Sequence, residues 1–236
     1  MVYSEFTEVG EENRRGDELN YKINHIPKST PYNRRPGLAV VPQYLTIHST
    51  ANPNSTARNE RVWLTNPQND RTASYHVVVD EKEAIEVIPL NEVAWHAGDG
   101  NGQGNRASIG IEICESGNRA KTLENAVKLV AKMLNERGWG VDRLRRHYDW
   151  NKKICPRIFY DGGKWTGWQQ FKQAVQRELD KLKGGTTVAE KNVPSSWAKE
   201  AWEWAKKEKL LDGTRPKDTL TREEFAVVLK RLVEKK

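Results

Sequence analysis

Ala73-Ser74-Tyr75-His76-Val77-Val78-Val79-Asp80-Glu81-Lys82-Glu83-Ala84-Ile85-Glu86-Val87-Ile88 holds two runs of apolar and β-branched residues around a charged tripeptide. Two heavy atoms on Cβ stiffen the side chain and favour the extended backbone, so both runs read as strands. The stretch predicts a strand over 73–80, a turn at 81–83 and a second strand over 84–88, paired as a hairpin. Working outward, 40–48 reads as a buried strand broken at Pro42, and 108–114 as a strand buried on at least one face. Helices are expected between and after them. One is short, over 57–64, and closes at Asn66-Pro67. A second covers 122–137, with Leu123, Ala126, Val127, Val130 and Leu134 on one stripe and Gly138 as terminator. A third runs from Thr166 to Leu182. Thr166-Gly167-Trp168-Gln169 would form its capping box, and Trp168, Phe171, Val175, Leu179 and Leu182 its apolar stripe. Strands interleaved with amphipathic helices imply an α/β fold, a mixed central β-sheet flanked by helices.

The pattern divides the chain. Residues 1–20 are charged, with little to bury, and read as a polar extension. Residues 21–183 hold the α/β domain, and 184–193 read as a linker. Residues 194–236 read as a small helical domain. In it Trp197, Ala201, Trp204 and Ala205 line one helix over 195–209. A second helix opens at a capping box, Thr221-Arg222-Glu223-Glu224, and turns Phe225, Val228, Leu229 and Leu232 inward. Two helices in so short a stretch make a marginal core, one that leans on the first domain or on another copy.

The 236 residues carry 39 Lys+Arg against 32 Asp+Glu, a formal charge of +7. That balance favours polyanionic surroundings, but the basic residues are interleaved with acidic ones and no nucleic-acid motif accompanies them, so a nucleic-acid partner is not expected. No run approaches the roughly 20 apolar residues that span a bilayer, so membrane insertion is not expected. The start, Met1-Val2-Tyr3-Ser4-Glu5-Phe6, lacks the basic and apolar regions of a signal peptide, so synthesis in the cytoplasm is expected.

Chemistry concentrates in Arg146-His147-Tyr148-Asp149-Trp150-Asn151-Lys152-Lys153-Ile154-Cys155-Pro156, read as a loop. It sets a histidine and a cysteine eight positions apart, with Lys153 two before the cysteine. Neutral imidazole and thiolate suit zinc, and a catalytic zinc takes three protein ligands and leaves a fourth position for water. His48, at the end of an apolar run, is the best third ligand. The alternative for Cys155 is a buried structural side chain. A disulfide between Cys114 and Cys155 is possible by count, but a zinc-bound Cys155 could not be bridged. Trp95 and His96 sit in a loop, either as a sugar- or peptide-contacting pair or as a tryptophan packed over that loop. Glu112 lies between Ile111 and Ile113 and so points opposite to them. His76 reads as structural, His25 as a surface residue, and Cys114 as a small buried apolar side chain.

Taken in order, Thr46-Ile47-His48-Ser49-Thr50, Ser74 through Asp80, Ala94-Trp95-His96-Ala97-Gly98, Ser108-Ile109-Gly110-Ile111-Glu112-Ile113 and His147 through Pro156 resemble the zinc-dependent N-acetylmuramoyl-L-alanine amidases of the peptidoglycan-recognition type, above all endolysins of Bacillus-group phages. The resemblance covers about residues 21–182. It implies one Zn2+ on His48, His147 and Cys155, with Glu112 as base, Lys153 as oxyanion partner and Tyr75 as a second donor or substrate orienter. It implies hydrolysis of the amide between N-acetylmuramic acid and L-alanine in peptidoglycan, on a wall reached after release from the cell. The alternatives are a non-hydrolytic peptidoglycan-binding module and a bacterial, prophage-derived autolysin. Trp197-Ala198-x-x-Ala201, Leu211-Asp212-Gly213 and Leu220 through Ala226 resemble part of an S-layer-homology repeat. That implies an anionic cell-wall polymer as the partner of the second domain. A monomer is expected.

Overall fold

A computed structural model describes residues 19–183, 194, 198–211 and 222–234. Residues 1–18 of the expected extension over 1–20, the linker at 184–193, Trp197, the repeat-like Asp212, Gly213 and Leu220, and the capping-box threonine Thr221 lie outside the described residues. The chain falls into two compact units, Met1–Leu179 and Asp180–Lys236.

The first unit is built on a six-stranded mixed sheet, as the alternation of strands and helices implies. Its strands are β1 (Tyr21–Ile23), β2 (Tyr44–Ser49), β3 (Val77–Val79), β4 (Ala84–Glu86), β5 (Ser108–Ile113) and β6 (Leu144–Arg146), in spatial order β1-β4-β3-β5-β2-β6. The β3–β4 hairpin is the antiparallel pair; β3, β5, β2 and β6 all run parallel. The strands are shorter than their apolar runs. Val87 makes the next rung by donating to the carbonyl of His76, but Ile88 shares that carbonyl at 3.4 Å, a bulge-like doubling of two residues against one that ends regular pairing after Val77 and Glu86. In place of a strand beginning at Val40, Ala39 makes an isolated bridge to Glu92, and regular pairing begins at Tyr44, beyond Pro42. Proline has no N–H for a central ladder.

Parity along the strands separates two faces. Leu45 and Ile47 of β2, Val77 and Val79 of β3, and Ile109, Ile111 and Ile113 of β5 point into the larger core. Helices α3 (Arg119–Glu136) and α5 (Thr166–Leu182) cover it with Leu129, Val130, Met133 and Leu134, and with Trp168, Phe171, Val175 and Leu179. The true stripe of α3 adds Leu129 and Met133 to the one read from the sequence, while Leu123 and Val127 pack at its margin. Helix α3 starts three residues earlier than expected because Asn118 caps it, accepting from the Lys121 N–H at 3.1 Å; it ends at Gly138, whose φ is +66°. In α5, Thr166 is the first helical residue rather than the cap, its N–H held by Asp161 Oδ1 at 3.2 Å, and Leu182 is exposed.

The opposite face carries Thr46 and His48 of β2, Val78 of β3, and Ser108, Gly110 and Glu112 of β5. Helix α1 (Ala57–Trp63) covers part of it, with Ala57, Leu64, Tyr75, Val78 and Cys114 forming a second, smaller core. The Asp80 carboxylate seats the start of α1 by accepting the Ala57 N–H at 2.9 Å. Arg34 is fully buried and donates to the carbonyls of Leu64, Asn66, Asn69 and Arg71, tying down the chain after α1. A short helix, α2 (Gln103–Arg106), follows the loop that carries Trp95 and His96.

The stretch 146–156 is not the expected loop. It continues from β6 into a one-turn helix, α4 (His147–Asn151), stopped by Lys152 at φ +68°. In the second unit, α6 (Lys199–Lys207) and α7 (Arg222–Glu234) are present. Their expected inward stripes are largely exposed: Trp204, Phe225, Leu229 and Leu232 all lie on the surface, and among the described residues of this unit Ala205 and Leu210 are the buried apolar ones. Among the described residues, no helix is long and apolar enough to cross a membrane.

Candidate metal centre

Adjacent parallel strands deliver the key side chains at their carboxyl ends. His48 is the penultimate residue of β2, Glu112 the penultimate residue of β5, and the two are register partners on one face. His147 follows β6 directly. A crevice beyond the carboxyl ends of parallel strands is where open α/β sheets place ligands, because the loops diverge there. Cys155 is brought back by its own backbone: its carbonyl accepts the Tyr148 N–H at 3.1 Å.

His48, His147 and Cys155, all buried, converge so that their donor atoms lie within 4.8 Å of one another. Nδ1 of His48 is 3.1 Å from Nδ1 of His147 and 3.7 Å from Sγ of Cys155. Zinc bond lengths of about 2.0–2.1 Å to nitrogen and about 2.3 Å to sulfur put tetrahedral donors about 3.3 Å (N···N) and about 3.6 Å (N···S) apart. The two distances from His48 therefore match those a bound zinc would set, and the third donor pair lies within 4.8 Å.

Burial sets the protonation states. It holds His48 well below the ordinary imidazole value, reinforced by His96, His147 and Lys153, and brings His147 down to about 4, with Lys153 adding to the effect. Both are neutral at pH 7, as metal ligands must be. The Cys155 thiol is pushed up to about 12 by burial and by Glu112. A cation among these atoms reverses that penalty, because the thiolate is the form a metal binds. Nε2 of His147 is buried without a hydrogen bond of sound geometry, although the Ala97 backbone favours a proton on this ring.

The three residues open onto a cavity of about 840 Å3, lined also by Glu60, Trp63, Tyr75, Trp95, Glu112 and Lys153. Glu112 sends a buried Oε2 there without a hydrogen-bond partner. Burial raises its pKa to about 8, with Glu60 adding to the rise and Lys153 opposing it. Lys153 is exposed at the rim, its backbone N–H held by Asn151 Oδ1 at 3.0 Å. Its charge reaches His48, His147, Cys155 and Glu112 alike. Tyr75 is buried, and its hydroxyl lies 2.9 Å from the Glu60 carbonyl and 3.1 Å from Glu60 Oε2.

Trp95 lines the cavity half-buried, its indole N–H donated to the Asn33 carbonyl at 2.9 Å. His96 does not pair with it at the surface. It lies behind His48, 7% exposed, with Nδ1 3.0 Å from His48 Nε2 and Nε2 3.3 Å from the Ser108 carbonyl. Both ring nitrogens thus meet partners inside the protein, while the residue also forms part of the cavity lining. Sequence reasoning missed Glu60 altogether. Its one signal was a position in the first turn of α1, ambiguous because acidic residues favour that place in any helix. His76 is buried, in keeping with a structural side chain: its ring meets the Gly110 N–H and the Glu92 carbonyl. His25 is half-buried and meets Glu86 at 2.7 Å. Cys114 is buried and free, not bridged to Cys155.

Residues 38–158 match the family model described as N-acetylmuramoyl-L-alanine amidase. Over 156 residues the chain is 48% identical to N-acetylmuramoyl-L-alanine amidase CwlA of Bacillus subtilis, covering 64% of this chain and 55% of CwlA. It is 43% identical over 163 residues to amidase XlyB of the same organism, covering 67% of this chain and 49% of XlyB. The chain thus spans about half the length of the curated relatives it matches. The solved catalytic domain of XlyA superposes with a TM-score of 0.60 at 42% identity, covering 66% of this chain and 99% of that domain.

Proposed function

Because the chain belongs to the N-acetylmuramoyl-L-alanine amidase family, we propose that it hydrolyses the amide between N-acetylmuramic acid and the L-alanine of the stem peptide, with zinc held by His48, His147 and Cys155. The observation that carries the reading is the convergence of two neutral imidazoles and a thiol within 4.8 Å of one another, beside a buried carboxyl and a lysine. When bound, zinc would supply Lewis acidity toward the scissile carbonyl and the attacking water.

The residues divide the remaining work. Glu112 takes a proton from the attacking water and passes it to the departing nitrogen. Without a cation its pKa of about 8 would keep it mostly protonated at pH 7; a bound metal beside it would lower that value and leave a carboxylate that accepts the proton and still releases it. Lys153 stabilises the negative charge that develops on the carbonyl oxygen. Tyr75 orients substrate or supplies a second donor, with Glu60 fixing its hydroxyl. Trp95 offers an aromatic face to the muramyl sugar or the peptide. We further assign the second unit to wall binding. The basic balance of the chain and the likeness of 197–226 to part of an S-layer-homology repeat support an anionic wall polymer as its partner.

Purified Gram-positive walls test the activity. Clearing that stops with a chelator, returns with zinc and frees L-alanine amino termini without new reducing sugars is expected. Binding without clearing by zinc-loaded protein would replace this reading with a recognition module. Full-length protein should bind walls stripped of anionic polymer less tightly than intact walls; equal binding would reject the assignment of the second unit.

A further inference from the structure

We propose that His96 is a positioning residue that fixes His48 as the Nε2–H tautomer and so aims its Nδ1 lone pair at the metal, with the loop over 99–105 as its clamp. This rests on the zinc reading above.

The argument follows the hydrogen bonds inward from the one partner whose role is fixed. The Ser108 carbonyl can only accept, so Nε2 of His96, 3.3 Å away, carries a proton. His96 is buried, and its two ring nitrogens meet a carbonyl and an imidazole, with no hydrogen-bonded carboxylate among the described residues to hold a second proton, so the ring is neutral. A neutral imidazole has a single N–H, so Nδ1 of His96 is an acceptor. The atom facing it at 3.0 Å is Nε2 of His48, which must therefore donate. The partners of His48 are two imidazoles and a thiol, with no hydrogen-bonded carboxylate among the described residues to hold a second proton, so its other nitrogen, Nδ1, bears a lone pair. That is the atom facing His147 Nδ1 and Cys155 Sγ. The rings of His48 and His96 meet edge to face at 5.1 Å, so the bond sets ring orientation as well as tautomer.

The clamp accounts for a glycine-rich sequence that the proposed chemistry leaves unused. Asn105, itself buried, accepts the backbone N–H groups of both His96 and Ala97 on one oxygen at 2.8 Å and donates to the Gly100 carbonyl at 2.9 Å. Asp99 accepts the N–H groups of Gly104 and Asn105 at 2.7 and 3.2 Å. Gly104 has no room for a side chain: a Cβ there would lie 2.4 Å from that of Ala97. From the other side the His96 ring rests on Gly110, where a Cβ would come within 2.6 Å of Cγ. An isolated glycine inside a strand marks such a close approach. A histidine serving only as filler needs neither a directed acceptor toward His48 nor a backbone held at two successive N–H groups.

The test uses the full chain and zinc itself. Zinc affinity is measured by competition with a chromogenic chelator for wild type, His96→Leu and His96→Asn. Loss of an outer partner of a ligating histidine weakens metal binding about ten- to a hundredfold. His96→Leu should show that loss, and His96→Asn, whose Oδ1 takes the place of Nδ1 as acceptor, should recover most of it. In zinc-free wild type, nitrogen-15 NMR of the imidazoles should find the His48 proton on Nε2. Zinc affinity of His96→Leu within twofold of wild type, or a His48 proton on Nδ1, overturns the proposal. Should His96→Leu fail to fold, the wild-type tautomer decides. Wild type that takes up no zinc would refute the metal reading instead, and the tautomer would still judge the role of His96.

Discussion

Replacing Glu112 by Gln should make the zinc-free protein more stable, and increasingly so as the pH rises. The native carboxyl has a pKa of about 8 because it is buried beside Glu60, while the unfolded chain releases the same proton near 4.5. Between those values the native state binds more protons than the unfolded state, so stability falls with rising pH. Each pH unit of difference is worth about 1.4 kcal/mol, which gives a ceiling of about 5 kcal/mol above pH 8. About 3 kcal/mol of this is reached at pH 7 and about 1 kcal/mol at pH 5. Glutamine has nearly the same shape and never ionises, so the variant escapes the penalty. Its thermal midpoint in chelator, relative to wild type, should rise between pH 5 and pH 7 by about 4–8 °C for a domain of this size. Turnover should fall about 10²–10⁴-fold in the zinc-loaded variant if this carboxylate moves the proton. Differential scanning calorimetry at several pH values, beside the end-group assay, reads both effects. A stability difference that stays flat with pH would show that Glu112 ionises freely in the native state, and full turnover would remove it from the chemistry.

Other substitutions probe the supports. Arg34→Met should cost about 3–5 kcal/mol, because it leaves buried carbonyls around the Arg34 site without their donor; a denaturant midpoint unchanged from wild type would contradict this. Gly110→Ala should cost about 1–3 kcal/mol through overpacking against the His96 ring, and should weaken zinc in parallel with His96→Leu. Stability unchanged with zinc affinity intact would mean that the ring yields freely. Glu115 lends acid sensitivity. Burial pushes its carboxyl up, but the Arg157 guanidinium, at 2.6 Å, and the Ala51 N–H outweigh burial and hold it below the ordinary value. Its folded pKa is depressed, so its contribution is present above the unfolded value near 4.5 and is lost as pH falls through the folded one. Glu115→Gln should therefore flatten the loss of stability on acidification below pH 5, and an unchanged acid profile in thermal melts would refute the pairing.

How far the sequence reached depended on whether a feature is set by neighbours along the chain or by neighbours in space. The hairpin at 73–88 was legible because β-branched runs around a charged turn dictate it locally. Strand lengths were not, since a ladder ends where its partner ends, and the His76 carbonyl receives both Val87 and Ile88 instead of a single partner. Helix α3 was visible from its period, but Asn118 as cap was not distinguished from the other polar residues before it. In the second unit, helical period picked out Phe225, Val228, Leu229 and Leu232 on one stripe. Burial also needs an opposing surface, and Phe225, Leu229 and Leu232 remain exposed.

The same division runs through the site. Alternation along β5 put Glu112 opposite Ile111 and Ile113, but only the parallel register of β2 with β5 sets it beside His48. His96 shows the limit most sharply. In sequence it adjoins Trp95 in a polar loop, which invites a surface role shared with the tryptophan. The chain turns between them: Trp95 leans on Asn33 at the cavity wall, while the His96 ring passes inward over Gly110 to reach His48. One signal for this was present, a glycine in the middle of an otherwise β-rich strand. A missing side chain at a buried strand position implies that another residue occupies its space. The sequence thus held the shape of the outer support without naming what filled it, because the filler comes from a loop whose path is set by Asp99 and Asn105 rather than by any hydrophobic period.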